Sequence, residues 1–380
     1  METKYQIVDL QSQYNRLKQE IDPAIQKVLN DANFINGEQV KTFATNLAQY
    51  LDCNHVIPCA NGTDALQIAF MALGLQPGDE IIVPAFNYVA TAETAALLQL
   101  KPVFVDADPQ TFNMDPALIE KAIGPKTKVI VPVHLFGQAC DMDTIMAIAE
   151  KHALFVIEDN AQAIGAQMTN GKYAGKMLGT IGHIGTTSFF PSKNLGCMGD
   201  GGAVYTNDSA IATTIQKIAN HGQKQKYDYE LIGTNSRLDT LQAAILNVKL
   251  SHLQEFTEAR QKAAAKYDEL LSQIEGIEIP NRMAASSHVF HQYTIKLDSA
   301  EKRNELKSYL SEKGVQAMIY YPQSLHLQKA YAYLGYTKDE FPVSIDLCTR
   351  VLSLPMHSEL KEKDVAEICE IIKEAFLVSK

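Results

Sequence analysis

Short apolar runs alternate with amphipathic stretches through the first half of the chain. The runs are Ile81-Ile82-Val83, Val103-Phe104-Val105, Val129-Ile130-Val131 and Leu154-Phe155-Val156-Ile157. Each is short for a helix and too uniformly apolar for a strand with one wet face, which is the pattern of strands covered on both sides. Between them, segments with helical spacing begin near Asp64, Val89, Pro116 and Met142. This alternation predicts an α/β domain on a mainly parallel central sheet. Ahead of it, residues 12–30 put Tyr14, Leu17, Ile21 and Val28 on one helical face, and a second helix follows from Glu38 to Leu51 after the turn at Asn36-Gly37. TTSFF (186–190) and GAVYT (202–206) read as two more strands.

The rhythm then changes. Helices dominate from Ala210 to about Ile274, with Leu241, Ile245 and Val248 in one stripe. FHQYTIKL (290–297) alternates as a strand, Ala300–Lys313 reads as a helix, Val315–Tyr320 as a strand and Leu360–Leu377 as a terminal amphipathic helix. The pattern predicts a large α/β domain over 1–250 and a smaller α+β domain over 251–380.

Composition narrows the function classes. A net charge of -10 argues against general affinity for nucleic acid or anionic lipid, so an anionic substrate needs a local cluster of donors. The six cysteines, at 53, 59, 140, 197, 348 and 369, are too scattered for a disulfide framework or a CxxC metal site and read as reduced thiols of a cytoplasmic protein. His134, His221 and His357 have no ligand spacing, so no metal is expected. The N-terminal stretch carries charges throughout, unlike a signal peptide, and no apolar run reaches the roughly 18–20 residues of a membrane span.

The chemistry concentrates around Lys193, in GTTSFFPSKNLGCMGDGG (185–202). A lone lysine on a loop is usually a solvated surface charge, but one flanked by Phe189, Phe190 and Pro191, followed by a glycine-dense turn and held in a pocket, loses solvation. Its pKa falls, and the neutral amine can form a Schiff base with an aldehyde cofactor. In a parallel sheet, ligand groups gather beyond the carboxyl ends of strands, where Asp106, His134 and Asp159 fall. Asp159, at the end of a buried strand in VIEDNAQAIGA, suits a cationic partner such as a protonated pyridine nitrogen, with Gln162 able to hydrogen-bond a phenolic oxygen of the same ring. It could equally cap the next helix. Gly62, Thr63 and Asp64 open a helix whose unpaired N–H groups suit a phosphate, although Thr63 or Asp64 could simply cap it. Ser188 could offer its hydroxyl to the same phosphate, and Tyr88 a flat face to a planar ring. Asn235 and Arg237 precede a helix, where arginine suits a carboxylate or phosphate but can also be a solvated charge.

Taken in order, VDLQSQY, FINGEQV, NGTDAL, PAFNYVATAET, PVHLFGQ, EDNAQAIGA, SFFPSKNLG, GDGGA, NSRLDTLQAAIL and SLPMH span essentially the whole chain. Together they resemble the pyridoxal-phosphate-dependent nucleotide-sugar aminotransferases of the DegT/DnrJ/EryC type, within fold type I of the aspartate aminotransferase superfamily. The resemblance implies that Lys193 carries pyridoxal 5′-phosphate, alternating with pyridoxamine 5′-phosphate. It also implies that Asp159 faces the ring nitrogen, Tyr88 stacks on the ring and Gln162 bonds the ring hydroxyl. Gly62, Thr63, Asp64 and Ser188 hold the phosphate, and Asn235 arrives from the second subunit of a homodimer. The signature is most similar to enzymes that aminate C3 of UDP-2-acetamido-2-deoxy-3-oxo-D-glucuronate with L-glutamate, a step in lipopolysaccharide O-antigen precursor synthesis. On that reading Arg237 grips the uronate, and Tyr321 and His326 line the sugar side. Many relatives carry His where this chain has Tyr320. Alternatives are amination of a dTDP-3-oxo-6-deoxyhexose or a 4-keto sugar and, in another class, a non-catalytic regulator on the same scaffold. A dehydratase of this fold carries His in place of Lys193, and GCMGDGG lacks the strand-then-GxGxxG arrangement of a nicotinamide enzyme.

Overall fold

The computed structural model describes residues 3–378; residues 1, 2, 379 and 380, which the signal-peptide reading and the domain division take in, lie outside them. Seven strands form the central sheet: β1 (His55–Cys59), β2 (Glu80–Pro84), β3 (Lys101–Val105), β4 (Thr127–Ile130), β5 (Phe155–Asp159), β6 (Ile184–Ser188) and β7 (Gly202–Thr206). Their order is β1-β7-β6-β5-β4-β2-β3. β7 pairs antiparallel with both β1 and β6, and every other pairing is parallel. Six strands therefore end on one edge of the sheet, where β7 begins.

The apolar runs account for this core. Ile81, Ile82 and Val83 are fully buried, as are Val129, Ile130, Val156 and Ile157, each contributing roughly 1.5–3 kcal/mol. Prolines mark the margins: Pro58 lies in β1 and Pro102 in β3, the two edge strands, where a missing donor is tolerated. Pro58 also explains why HVIPC does not read as a strand from sequence. Helices Leu10–Asp31 and Glu38–Leu51 pack their buried faces, including Leu17, Ile21, Phe43 and Leu47, with Phe189 and Leu246.

A second sheet joins Ile277–Glu278, Tyr293–Leu297 and Val351–Leu354, all antiparallel. Its core draws on residues between 263 and 372 together with Tyr5. The predicted stretch of helices breaks at His252, between Thr240–Ser251 and Leu253–Leu271. Its buried stripe is Ala243, Ile245, Leu246 and Leu250, while Leu241 and Val248 are half-buried.

Three strand expectations change, the run over 290–297 beginning only at Tyr293. Val315–Tyr320 is not a strand, because its hydrogen bonds go to two partners: Val315 bridges to Tyr5 and Met318 to Ser353. No continuous ladder forms, and the missed strand Val351–Leu354 takes the place beside Tyr293–Leu297. The strand expected over 186–190 ends at Ser188: the Phe189 N–H still reaches the Gly201 carbonyl (2.7 Å), but its own carbonyl turns to the Cys197 N–H (2.8 Å).

Candidate active site

A cavity of about 650 Å³ opens at the carboxyl edge of the sheet. Its walls come from the segments following β1, β2, β4, β5 and β6, from Asp200 ahead of β7, and from residues 291–292 and 319–322 of the C-terminal part.

One wall is the start of helix Gly62–Ala72. Asn61, not Thr63 or Asp64, is the cap: its Oδ1 accepts the Asp64 N–H at 2.8 Å. The helix is pressed onto the end of β6, because a Cβ on Gly62 would lie 2.6 Å from Ser188 Cβ. Gly202 is equally tight, its would-be Cβ 2.4 Å from the Asn61 carbonyl oxygen. Small residues here let Thr63, Ser188 and the unpaired N–H groups of the first turn converge on one spot, a ready anion cradle. Ser188 Oγ accepts the Phe190 N–H at 3.2 Å, which leaves its own proton to donate. Asp64 stands in the first turn but off the cavity wall.

Lys193 sits half-buried on the wall, on a loop closed by Lys193 N–H to Phe190 O (2.8 Å) and Cys197 N–H to Phe189 O (2.8 Å). Desolvation lowers its pKa to about 8, against the opposing pull of Asp159. Asp159 is buried at the end of β5, and desolvation raises its carboxyl pKa despite the Ala161 N–H, Lys193 and His134. Its Oδ1 accepts the Ala161 N–H at 3.1 Å, leaving Oδ2 for the cavity.

The neighbouring carboxylate has a different task. Glu158 accepts N–H groups from Gly179 (2.8 Å), Ile181 (2.7 Å) and Gly182 (2.6 Å), and His134 Nε2 at 2.9 Å. His134 Nδ1 accepts the Cys140 N–H at 3.1 Å, so its proton is on Nε2. Asp106 likewise binds the start of helix Pro342–Arg350, accepting from Val343 N–H (3.0 Å) and Ser344 N–H (2.8 Å). Of the three strand-end residues, only Asp159 lines the cavity.

Gln162 Oε1 accepts the Phe136 N–H (2.7 Å) and its Nε2 donates to the Tyr321 hydroxyl (3.1 Å), so the side chain ties the Phe136 turn to residues 319–322 across the cavity. Tyr88 is 56% exposed and lines the mouth, its ring 6.3 Å from that of Tyr321. The fold thus gathers Gly62, Thr63, Tyr88, Asp159, Gln162, Ser188, Lys193 and Tyr321. It does not bring Asn235, Arg237 or His326 to this wall. Asn235 is exposed and Arg237 half-buried beside it. His326 is buried, its Nδ1 2.7 Å from Ser324 Oγ and its ring edge-on to Phe341.

Tyr320, where many relatives carry His, also lines the cavity, as do Gln292 and His291, which no motif singles out. His291 and Gln292 fall in FHQYTIKL, whose alternation reads as one strand. The strand starts only at Tyr293, because Phe290 has φ 45°, a left-handed conformation that periodicity cannot reveal. Among the described residues, no His, Cys, Asp and Glu side chains gather as for a metal, and no helix is long and apolar enough to cross a membrane.

The residues present fit pyridoxal phosphate. The first turn of helix Gly62–Ala72, packed against Ser188, matches the phosphate, the desolvated amine of Lys193 matches the aldehyde, and the free Oδ2 of buried Asp159 matches a ring cation. With the mainly parallel sheet, this chemistry defines a fold type I pyridoxal-phosphate-dependent transferase. The chain belongs to the DegT/DnrJ/EryC1/StrS aminotransferase family, whose model matches residues 15–373, and it is a pyridoxal-phosphate-dependent aminotransferase. It is 48% identical to the UDP-2-acetamido-2-deoxy-3-oxo-D-glucuronate aminotransferase of Pseudomonas aeruginosa, over 96% of this chain and 98% of that one. It is also 48% identical to a pleiotropic regulatory protein of Geobacillus stearothermophilus, over 97% and 98%. The crystal structure of DesV from S. venezuelae, solved in complex with a ketimine intermediate, superposes with a TM-score of 0.94 at 36% identity, covering 99% of both chains.

Proposed function

We propose that the protein moves the amino group of L-glutamate to C3 of a nucleotide-linked 3-keto sugar, with UDP-2-acetamido-2-deoxy-3-oxo-D-glucuronate as the acceptor. The observation that carries this reading is the near-full-length likeness to the P. aeruginosa enzyme of that name, combined with a lysine and a buried aspartate on one cavity wall. The relative named as a regulator does not alter it, since Thr63, Asp159, Ser188 and Lys193 line one cavity of this chain.

Bound here, pyridoxal phosphate supplies an aldehyde and an electron-withdrawing ring. Thr63, Ser188 and the first-turn N–H groups beside Gly62 hold the phosphate, and Asp64 reinforces the same turn. The Asp159 carboxylate keeps a positive charge on the ring nitrogen, Gln162 orients the ring oxygen, and Tyr88 covers one face. Lys193 anchors the cofactor. Its Nζ, lowered to a pKa of about 8, would then be the base that takes the proton from the donor's Cα and, in the second half-reaction, gives one to C3 of the acceptor. The same residues work in reverse on the keto-sugar. Tyr321 lines the sugar side, while His326 is held by Ser324 and Phe341 away from it.

The active form is a homodimer that completes the site. Asn235 and Arg237 adjoin a segment whose Tyr227, Tyr229 and Ile232 are 75%, 58% and 86% exposed, an apolar surface that a second copy would cover. Across that contact Asn235 reaches the cofactor phosphate and Arg237 the uronate carboxylate. Six free thiols fit a cytoplasmic site of action, and the product is a precursor sugar for lipopolysaccharide O-antigen. The test is to load the protein with pyridoxamine phosphate and offer a panel of nucleotide 3-oxo and 4-oxo sugars. Return of the aldehyde absorption with the UDP-3-oxo-uronate supports the reading, and return only with dTDP or 4-oxo sugars replaces it.

A further inference from the structure

His291 is a cavity residue to which neither the motifs nor the chemistry above gives a task. Its ring is 4% exposed, and its surroundings fix which nitrogen bears the proton. Asn194, the residue directly after Lys193, donates from Nδ2 to the Val289 carbonyl at 3.0 Å. The amide orientation is therefore set, and Asn194 Oδ1, 3.3 Å from His291 Nδ1, can only accept. His291 must donate from Nδ1, so the neutral ring carries its lone pair on Nε2. Asn194 lies off the cavity wall and His291 on it, which turns the Nε2 edge inward. No described residue hydrogen-bonds to Nε2.

The ring is also held in place. Arg260 Nη1 donates to the carbonyl of Phe290 at 3.0 Å and to that of Met356 at 2.9 Å, and Gln292 N–H reaches Phe136 O at 3.3 Å. Burial, with the cations of Lys193 and Arg260 nearby, pushes the His291 pKa well below the ordinary histidine value, so the ring stays neutral at working pH. A neutral lone pair beside the reactive lysine distinguishes the two substrates. Glutamate's one donor group, its α-amine, is the reacting group itself, and its carboxylates only accept; a keto-sugar keeps hydroxyl donors around the reacting carbon.

We propose that His291, locked by Asn194 as the Nδ1–H tautomer, recognises the acceptor substrate by taking a hydrogen bond on Nε2 from a sugar hydroxyl next to the reacting carbon. This rests on the nucleotide-sugar reading and assigns a specificity residue within it. A site built to accept a hydroxyl rejects analogues lacking it far more strongly than apolar contact can.

Two measurements test it. In the holoenzyme, ¹⁵N-histidine correlation spectra, with the signal assigned by its loss in His291→Phe, should show Nδ1 protonated and Nε2 bare, and Nε2 should shift when the aminated UDP-sugar product is added. An Nε2–H tautomer, an imidazolium at pH 7.5 or an unmoved signal overturns the proposal. In single-turnover kinetics, His291→Phe should lower the rate of the sugar half-reaction relative to the glutamate half-reaction by at least tenfold. Equal losses in both, or no loss in either, also overturn it. A wild-type protein that accepts no nucleotide keto-sugar overturns the functional reading instead, while wild-type turnover with an unaltered His291→Phe ratio overturns only this assignment.

Discussion

Gly62 and Ser188 meet so closely that a single added methyl on the glycine would lie 2.6 Å from Ser188 Cβ. The contact joins the first turn of a helix to the end of β6 and brings the helix-start N–H groups and the Ser188 hydroxyl to one cavity wall. Gly62→Ala must separate them, at a cost typical of overpacking, about 1–3 kcal/mol. Titration with pyridoxal phosphate should show affinity reduced at least tenfold, with a lower urea midpoint. Unchanged cofactor affinity would mean that this cradle does not hold the phosphate.

Lys193 has a pH signature independent of turnover. Its folded-state pKa is about 8, below the 10.5 of an exposed lysine. Between those values the unfolded chain binds a proton that the folded chain does not, so stability rises with pH. The urea midpoint of the cofactor-free protein should climb from pH 8 to pH 10 by more than that of Lys193→Met. Lys249, also lowered to about 8 by burial, contributes equally to both proteins and cancels in the comparison. Parallel curves would show that Lys193 is solvated.

Glu158 and Asp159 are adjacent but not interchangeable. Glu158→Ala strands the buried Gly179 N–H and His134 along with the half-buried Ile181 and Gly182 N–H groups, and a buried unsatisfied donor costs about 1–3 kcal/mol. Chemical denaturation should reveal a loss of roughly 3 kcal/mol or more. Asp159→Asn should leave the urea midpoint close to wild type and reduce the glutamate half-reaction by several orders of magnitude. If the two substitutions exchange these phenotypes, the division of labour is reversed.

Arg237 separates sugar classes. If it grips a carboxylate from across a dimer contact, Arg237→Ala should raise KM for the uronate at least tenfold while barely altering KM for a neutral UDP-3-oxo sugar. Equal changes for both would remove that role. Co-expression of this variant with Lys193→Ala should restore a fraction of the activity, because a mixed dimer holds one intact site.

The sequence made the central sheet legible because its buried strands are continuous apolar runs, and the proline that obscures β1, Pro58, sits where an edge tolerates it. It also placed Lys193, Asp159 and the helix start, since those residues follow strands whose ends share one edge. Long-range pairing was not legible. The rejection of Val315–Tyr320 as a strand depends on Tyr5 and Ser353, far away in the chain. His291 escaped notice because a left-handed Phe290 and a bond to Asn194 give it its place. His326 looked like a sugar contact from its neighbours in YYPQSLHLQ, yet Ser324 and Phe341 enclose it.

The most direct test of the account is chemical. Purified protein incubated with pyridoxal phosphate and reduced with borohydride should carry the cofactor on the Lys193 peptide alone, and prior addition of glutamate should abolish the labelling. Label on Lys249 or on surface lysines, or none at all, would contradict the claim that Lys193 is the amine around which this site is built.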